Sequence, residues 1–364
     1  MNAYDLSSTI ERPGERIAKY LKDNDISQKE LAIRTGFSEK HISTVLSGQK
    51  DVSVAFAKSV ERALSSGVTA KRLLLMQAKC DALKVAREER NHINQEECKI
   101  LKQLKEVSAY LVSVGLLKDT ADEIDGIIAM RDFLGVTDLC KIPEITYNAA
   151  YRAQLRKNIH VDPYVLFAWQ RMCEKLTENM KISSQVNVEA LKSRVGDIKK
   201  LMPVPACELQ KGLQEIFSSC GIAFRIVRHF KGAPVQGFIK EARPGRLILC
   251  LTIRQKRRDI FWFTLFHEIA HVIYGDVRRR FVDFDVKSDV EERADYFAGE
   301  TLIPGAVYRA FVSEGDFSPI AIAKLADSLG VPGYIIYGRL LRDEFLTYTK
   351  EVMESLPQYE WAAA

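Results

Sequence analysis

The stretch FWFTLFHEIAHVIYGD, residues 261–276, constrains the fold more than any other part of the chain. It is too apolar for a surface, yet His267, Glu268 and His271 sit inside it. Burying three such side chains costs several kcal/mol unless something binds them. Histidines four residues apart lie on one face of a helix, one turn apart. Both imidazoles can then reach a single cation about 2 Å from each nitrogen. Glu268, beside the first histidine, can act on a water at the ion without ligating it. The spacing H-E-x-x-H therefore predicts a buried helix with a metal on one face and metal-assisted hydrolysis as its chemistry. The ion brings the pKa of water towards about 7 and polarises the scissile carbonyl. Glu268 takes the proton and later delivers it to the leaving amine.

A third ligand is required. Downstream stands VEERADYFAGETLIP, in which Glu291 and Asp295 are again four apart on one helix face. The arrangement lets Glu291 ligate the metal while Asp295 orients one of the histidines. Glu292 is the alternative ligand. Ala294, Phe297 and Ala298 give the same helix a buried face, which argues against a merely solvated acidic start.

The 364 residues are too many for one ordinary core, and two or three domains are expected. At 47% apolar and 28% charged, the chain has the composition of a water-soluble globular protein. The opening MNAYDLSSTI has neither a basic segment nor an apolar core, so no signal peptide is expected. No apolar run approaches the roughly 20 residues that span a bilayer. Seven scattered cysteines without a C-x-x-C pair fit reduced thiols in a cytoplasm. The net charge of +5 is only a weak pointer to nucleic acid.

The expected class is α+β, mainly α. Residues 1–75 read as an all-α domain and 76–195 as a helical connecting region. Residues 196–310 read as the hydrolytic domain, with a small β-sheet and the H-E-x-x-H helix, and 311–364 as a C-terminal helical segment. Ile93, Ile100, Leu104, Val107 and Leu111 form one apolar stripe, which predicts a long helix packed on its own protein, with a dimer seam as the alternative. Asp162-Pro163 opens a further helix with Leu166, Trp169, Cys173, Leu176 and Met180 on one face. IAFRIVRHF, PVQGFIK and RLILCLTI are short β-rich runs split by Gly and Pro. The basic runs RQKRRD (254–259) and RRR (278–280) are expected to form solvated faces, with attraction of an acidic substrate or nucleic acid as the alternative. His41 lies in the first domain; His92, His160 and His229 have no companion at ligand spacing.

Near the start, Pro13 suits the first position of a helix, GERIAKYLKDN. Ser27 and Glu30 form a capping-box pair ahead of SQKELAIRT. Gly36 breaks the pattern, a third helix runs from about Ser38 to Ser47, and a fourth from about Ser53 to Leu64. Counting from Gln28, Ala32 is fifth, Gly36 ninth, Ile42 fifteenth and Val45 eighteenth. Two helices crossing near a right angle need a small contact residue, a turn tolerant of positive φ and an apolar inner face, and all three are present. The segment resembles the helix-turn-helix of phage-repressor-like (XRE) regulators, most of all HigA-type antitoxins, over roughly residues 13–76. The resemblance implies that Ser38, Glu39, Lys40, Ser43 and Thr44 face the major groove of an operator and that Gln28 holds a phosphate. Residues 1–70 carry ten Lys/Arg against nine Asp/Glu, so one copy would bind phosphate modestly and a homodimer is expected.

H-E-x-x-H, then E-x-x-A-D-x-F-A, then L-I-P resemble the ImmA/IrrE metallopeptidases, over roughly residues 200–345. The resemblance implies a gluzincin-like fold holding one Zn2+, with ligands His267, His271 and Glu291, Glu268 as catalytic glutamate and Asp295 behind a histidine. Relatives often carry an acidic or small residue where this chain has Arg293. Together the two resemblances imply a cytoplasmic DNA-binding regulator. Its zinc site would cleave a peptide bond in a protein partner, a repressor or a toxin. The alternative is a non-hydrolytic antitoxin or repressor whose peptidase fold binds a toxin or senses metal.

Overall fold

A computed structural model of the chain describes residues 11–64, 67–147, 161–183, 185–277, 287–354 and 356–360. The run RRR at 278–280, His160 and the opening decapeptide lie outside the described residues. The structure is mainly helical with one three-stranded sheet, an α+β class. It divides into two compact units, Met1–Asn94 and Gln95–Ala364.

The first unit packs α1 (Pro13–Asp23), α2 (Gln28–Thr35), α3 (Glu39–Leu46), α4 (Val54–Leu64) and the start of α5 (Ala70–Asn91) around Ile17, Leu31, Ile42, Val45, Phe56 and Leu73. Ser27 caps α2 by accepting the Glu30 N–H at 3.1 Å, while the Glu30 carboxylate pairs with Arg34 one turn on. Gly36 ends α2 at φ 76°, a left-handed conformation that costs glycine least. Gln77 is buried beneath the α3–α4 connection; its carbonyl accepts the Val52 N–H at 3.0 Å and its amide donates to Asp51 and Asp81.

The expected long helix after residue 70 is instead three helices: α5, α6 (Gln95–Gln103) and α7 (Lys105–Ser113). At the end of α5 the His92 ring meets the Glu88 carbonyl at 2.6 Å, and the poor helix formers Asn91 and Asn94 flank it. The apolar stripe is nonetheless real. Ile100, Leu104, Val107 and Leu111 are buried within the second unit, while Ile93 is half-buried.

The second unit continues with α8 (Glu123–Leu134), α9 (Ile142–Tyr147) and α10 (Pro163–Thr177). Asp162 caps α10 by accepting the Tyr164 and Val165 N–H groups. Leu166, Trp169 and Cys173 are buried; Met180 falls beyond the helix, which ends at Thr177. α6 carries a fully buried Glu97. Its carboxylate receives the Arg131 guanidinium side-on at 2.8 and 2.6 Å and the Leu139 N–H at 3.1 Å.

After α11 (Val188–Lys199) and α12 (Ala206–Ser219) come β1 (Ile222–Val227), β2 (Gly237–Arg243) and β3 (Arg246–Thr252), in the order β1-β3-β2. β3 is parallel to β1 and antiparallel to β2, which pairs Gly237 with Leu251 and leaves β2 on an edge. α13 (Arg258–Tyr274), α14 (Lys287–Leu302), α15 (Gly305–Glu314), α16 (Pro319–Leu329), α17 (Gly333–Arg342) and α18 (Lys350–Glu354) complete the unit. One core joins α11 and α12, the sheet, α13 and the helices after residue 305. Among the described residues, no single helix is long and apolar enough to cross a membrane.

The Glu97–Arg131 pair lets stability be tested away from any chemistry. Removing one partner strands a buried charge. Glu97→Ala is expected to cost roughly 3–5 kcal/mol in urea unfolding, and a double change to apolar residues of similar volume much less. Equal losses for the single and double variants would contradict this.

Candidate metal centre

α13 is apolar on nearly all sides, so it can be stable only as an inside helix. It packs on β2, β3, α11, α14 and α17. Its start is tied to the chain's end: the Arg258 N–H donates to the Pro357 carbonyl at 3.1 Å and the Trp262 indole to the Tyr359 hydroxyl at 3.2 Å. Its end is set by Gly275 at φ 70°. α14 lies along it. Lys199 and Arg339 donate to the Thr301 and Ile303 carbonyls at the end of α14, at 3.0 and 2.8 Å. Cations are favoured at this end of a helix.

This packing brings His267, His271 and Glu291 together. The two histidine Nε2 atoms are 3.0 Å apart. Glu291 Oε2 is 3.2 Å from His267 Nε2, and Oε1 is 3.8 Å from His271 Nε2. Ligands about 2.0–2.1 Å from a tetrahedral zinc stand roughly 3.3 Å from one another, so these separations suit one shared ion. Among the described residues, the three can hold a metal ion. Glu292, the alternative, is exposed and outside the cluster.

Each histidine turns its other nitrogen to a carboxylate. His267 Nδ1 is 2.7 Å from Asp295 Oδ1. His271 Nδ1 is 2.8 Å from Oδ1 of Asp276, which sequence reasoning missed. The only signal was an aspartate directly after the glycine that ends the helix. Asp276 is buried, and its second oxygen receives Arg293 Nη2 at 3.1 Å. Arg293 also lies over the Tyr274 ring, 4.3 Å from its centroid. The expected departure at Arg293 is thus an ion pair to the carboxylate behind the second histidine. Such carboxylates fix the tautomer and aim the ligating nitrogen.

Glu268 is buried next to the cluster, 3% exposed. Gly237 on the edge strand presses against it: a Cβ there would lie 2.3 Å from Glu268 Oε1. Nothing in the local sequence marks that glycine.

The basic run 254–259 is not the solvated face that was expected. Arg257 pairs with Asp259 in a two-point contact and donates to the Tyr348 hydroxyl at 3.1 Å. Arg258 stacks on Tyr359 and Arg254 donates to the Pro234 carbonyl. Asp259, the C-terminal segment and the loop before β2 take up these groups, and Gln255 and Lys256 remain exposed. Elsewhere, His41 packs between Phe37 and Phe56, and burial lowers the pKa of both His41 and His229.

Burial works to lower the pKa of His267, but the bonds to Asp295 and Glu291 and the charge of Glu268 outweigh it and raise it to about 9. Without metal, this imidazole is therefore protonated at pH 7 and stabilises the fold. That contribution is full below the ordinary value of about 6.5 and is lost as pH rises through about 9. A cation needs the neutral ring. Zn2+ affinity should rise about tenfold per pH unit below pH 9 and then flatten. Calorimetry in buffers of different ionisation heat checks this, with about one proton expected per ion; affinity independent of pH would contradict it.

Residues 235–332, just over a quarter of the chain, match the family model of the IrrE N-terminal-like domain, a peptidase family. No curated protein and no solved structure matches the chain. The match runs from β2 to the end of α16, and supports a metallopeptidase-type domain in this part of the chain.

Proposed function

We propose that the second unit is a zinc-dependent endopeptidase acting on a regulatory protein, and that the first unit binds operator DNA. The observation that carries the first half is the His267–His271–Glu291 cluster with buried Glu268 beside it. His267, His271 and Glu291 would hold the zinc ion. When bound, zinc supplies Lewis-acid charge for a peptide carbonyl and for water. Asp295 and Asp276 keep the two Nε2 atoms turned to one point. Glu268 takes a proton from the attacking water as its oxygen bonds to the carbonyl carbon. It returns that proton to the amide nitrogen as the C–N bond breaks, leaving a carboxylate and an amine. Gly237 leaves room for the glutamate to do so at the edge of the sheet.

The DNA half rests on α2 and α3. Gln28, Ser38, Glu39, Lys40 and Ser43 are exposed and Thr44 is half-buried. The Ser38 hydroxyl already accepts the His41 N–H at 3.2 Å as the cap of α3, which holds its orientation and takes one of its two lone pairs. The half-buried Thr44 donates its hydroxyl to the His41 carbonyl at 2.9 Å, so Lys40 and Ser43 are the better placed readers of base edges and phosphates. The net charge of only +1 over residues 1–70 favours two copies acting together on DNA. A protein partner, repressor or toxin, would be the peptidase substrate. The alternative is a non-hydrolytic antitoxin that uses the same fold to bind a toxin or sense metal; it gives no reason for a carboxylate buried beside the cluster.

Glu268→Gln should keep zinc, read by metal content, and lose about 10²–10⁴-fold in peptide hydrolysis. Unchanged hydrolysis would remove Glu268 from the chemistry, and wild-type protein that binds zinc but cleaves no partner would favour the alternative. For the first unit, Ser43→Ala with Thr44→Ala should weaken operator binding in gel shifts and relax sequence preference. An unchanged preference would contradict the groove assignment.

A further inference from the structure

A cavity of about 270 Å³ opens beside the cluster, between the first half of α13 and the last turn of α14. Phe263 and Thr264 line it, one turn before His267 and Glu268, and Gly299 lines it one turn after Asp295. Gln236, next to the glycine that presses on Glu268, lines it too. One helical turn is about 5.4 Å and an extended peptide advances about 3.4 Å per residue. The cavity therefore sits where a peptide crossing the cluster would place a side chain one or two residues from the bond to be cut.

Its walls are apolar, with Ile260, Phe263 and Ile335, but its charge is not balanced. Arg257 is matched by Asp259. Arg339 and Arg342 share a single carboxylate, Asp343, at 3.6 and 3.2 Å. Arg339 also donates to Ile303, and its Nε is buried without a hydrogen-bond partner. Arg342 meets Asp343 through Nε alone, and its guanidinium lies over the Phe263 ring, 5.2 Å from the centroid. Among the described residues, its two terminal nitrogens have no partner. A planar fork with both terminal nitrogens free, above an apolar wall, suits a carboxylate on a short methylene stem.

We propose that this cavity is a specificity subsite for an acidic side chain, glutamate above all, within one or two residues of the scissile bond. The methylenes would pack on Phe263 and Ile260 and the carboxylate would meet Arg342. This rests on the peptidase reading of the adjacent cluster, so the test reads binding rather than cleavage.

The full chain carrying Glu268→Gln, loaded with zinc, is titrated by fluorescence anisotropy with four fluorescein-labelled hexapeptide pools. One position is fixed as Glu, Gln, Leu or Lys and the others are randomised. The Glu pool is expected to bind about 10–100-fold more tightly than the Gln pool. Arg342 is half-exposed; Arg342→Gln should erase that preference, and Arg342→Glu should turn it towards Lys. Unchanged thermal melting of both variants shows that the fold is intact. Equal binding of Glu and Gln pools, a preference for Leu that ignores Arg342, or no binding by any pool overturns the subsite. A Glu preference that depends on Arg342, in a protein whose wild type cleaves nothing, keeps the subsite and sinks the peptidase reading instead.

Discussion

The second unit depends on how a helix that must be inside can carry two histidines and a glutamate. An apolar surround makes an unpartnered imidazole or carboxylate costly. The structure meets this with a carboxylate for each Nδ1, Asp295 for His267 and Asp276 for His271. The neighbouring features serve those contacts. α14 has to lie along α13, and Lys199 and Arg339 hold its far end. The chain must turn back at Gly275 for Asp276 to reach the ring it supports. The edge strand must offer a glycine where Glu268 is packed.

What could be read from the sequence was what repeats at helical spacing. His267 with His271, and Glu291 with Asp295, are pairs four apart, and each pair faces one way because the helix makes it so. The β-rich runs also became strands, since short, nearly continuous apolar runs bounded by Gly and Pro are too short for buried helices. The unreadable parts join residues that share no local period. Asp276 acts through a left-handed glycine rather than a helix face. Gly237 meets Glu268 across 31 residues and two kinds of element. Glu97 and Arg131 are 34 residues apart, and neither differs from a surface charge until both are seen buried.

The basic run at 254–259 failed for a related reason. Charge clusters are usually solvated, and composition says nothing of a distant segment folding over them. Here the chain's own end does so, through Tyr348, Pro357 and Tyr359. The same segment completes the start of α13, so residues far beyond the family match help to build the helix that carries the candidate centre. The stripe at 100–111 failed only in length: its periodicity survived while the helix broke around it.

The candidate centre is assembled from two sources. His267, Glu268, His271 and Asp276 come from ten consecutive residues, whereas Glu291 and Asp295 arrive on a second helix. An ion bridging them would act as a clasp between α13 and α14, and its binding free energy would also be docking energy. Anything that levers α14 away would weaken the ion's hold to the same degree, and loss of the ion would loosen α14. Metal supply and the closure of this helix pair would thus be two readings of one equilibrium.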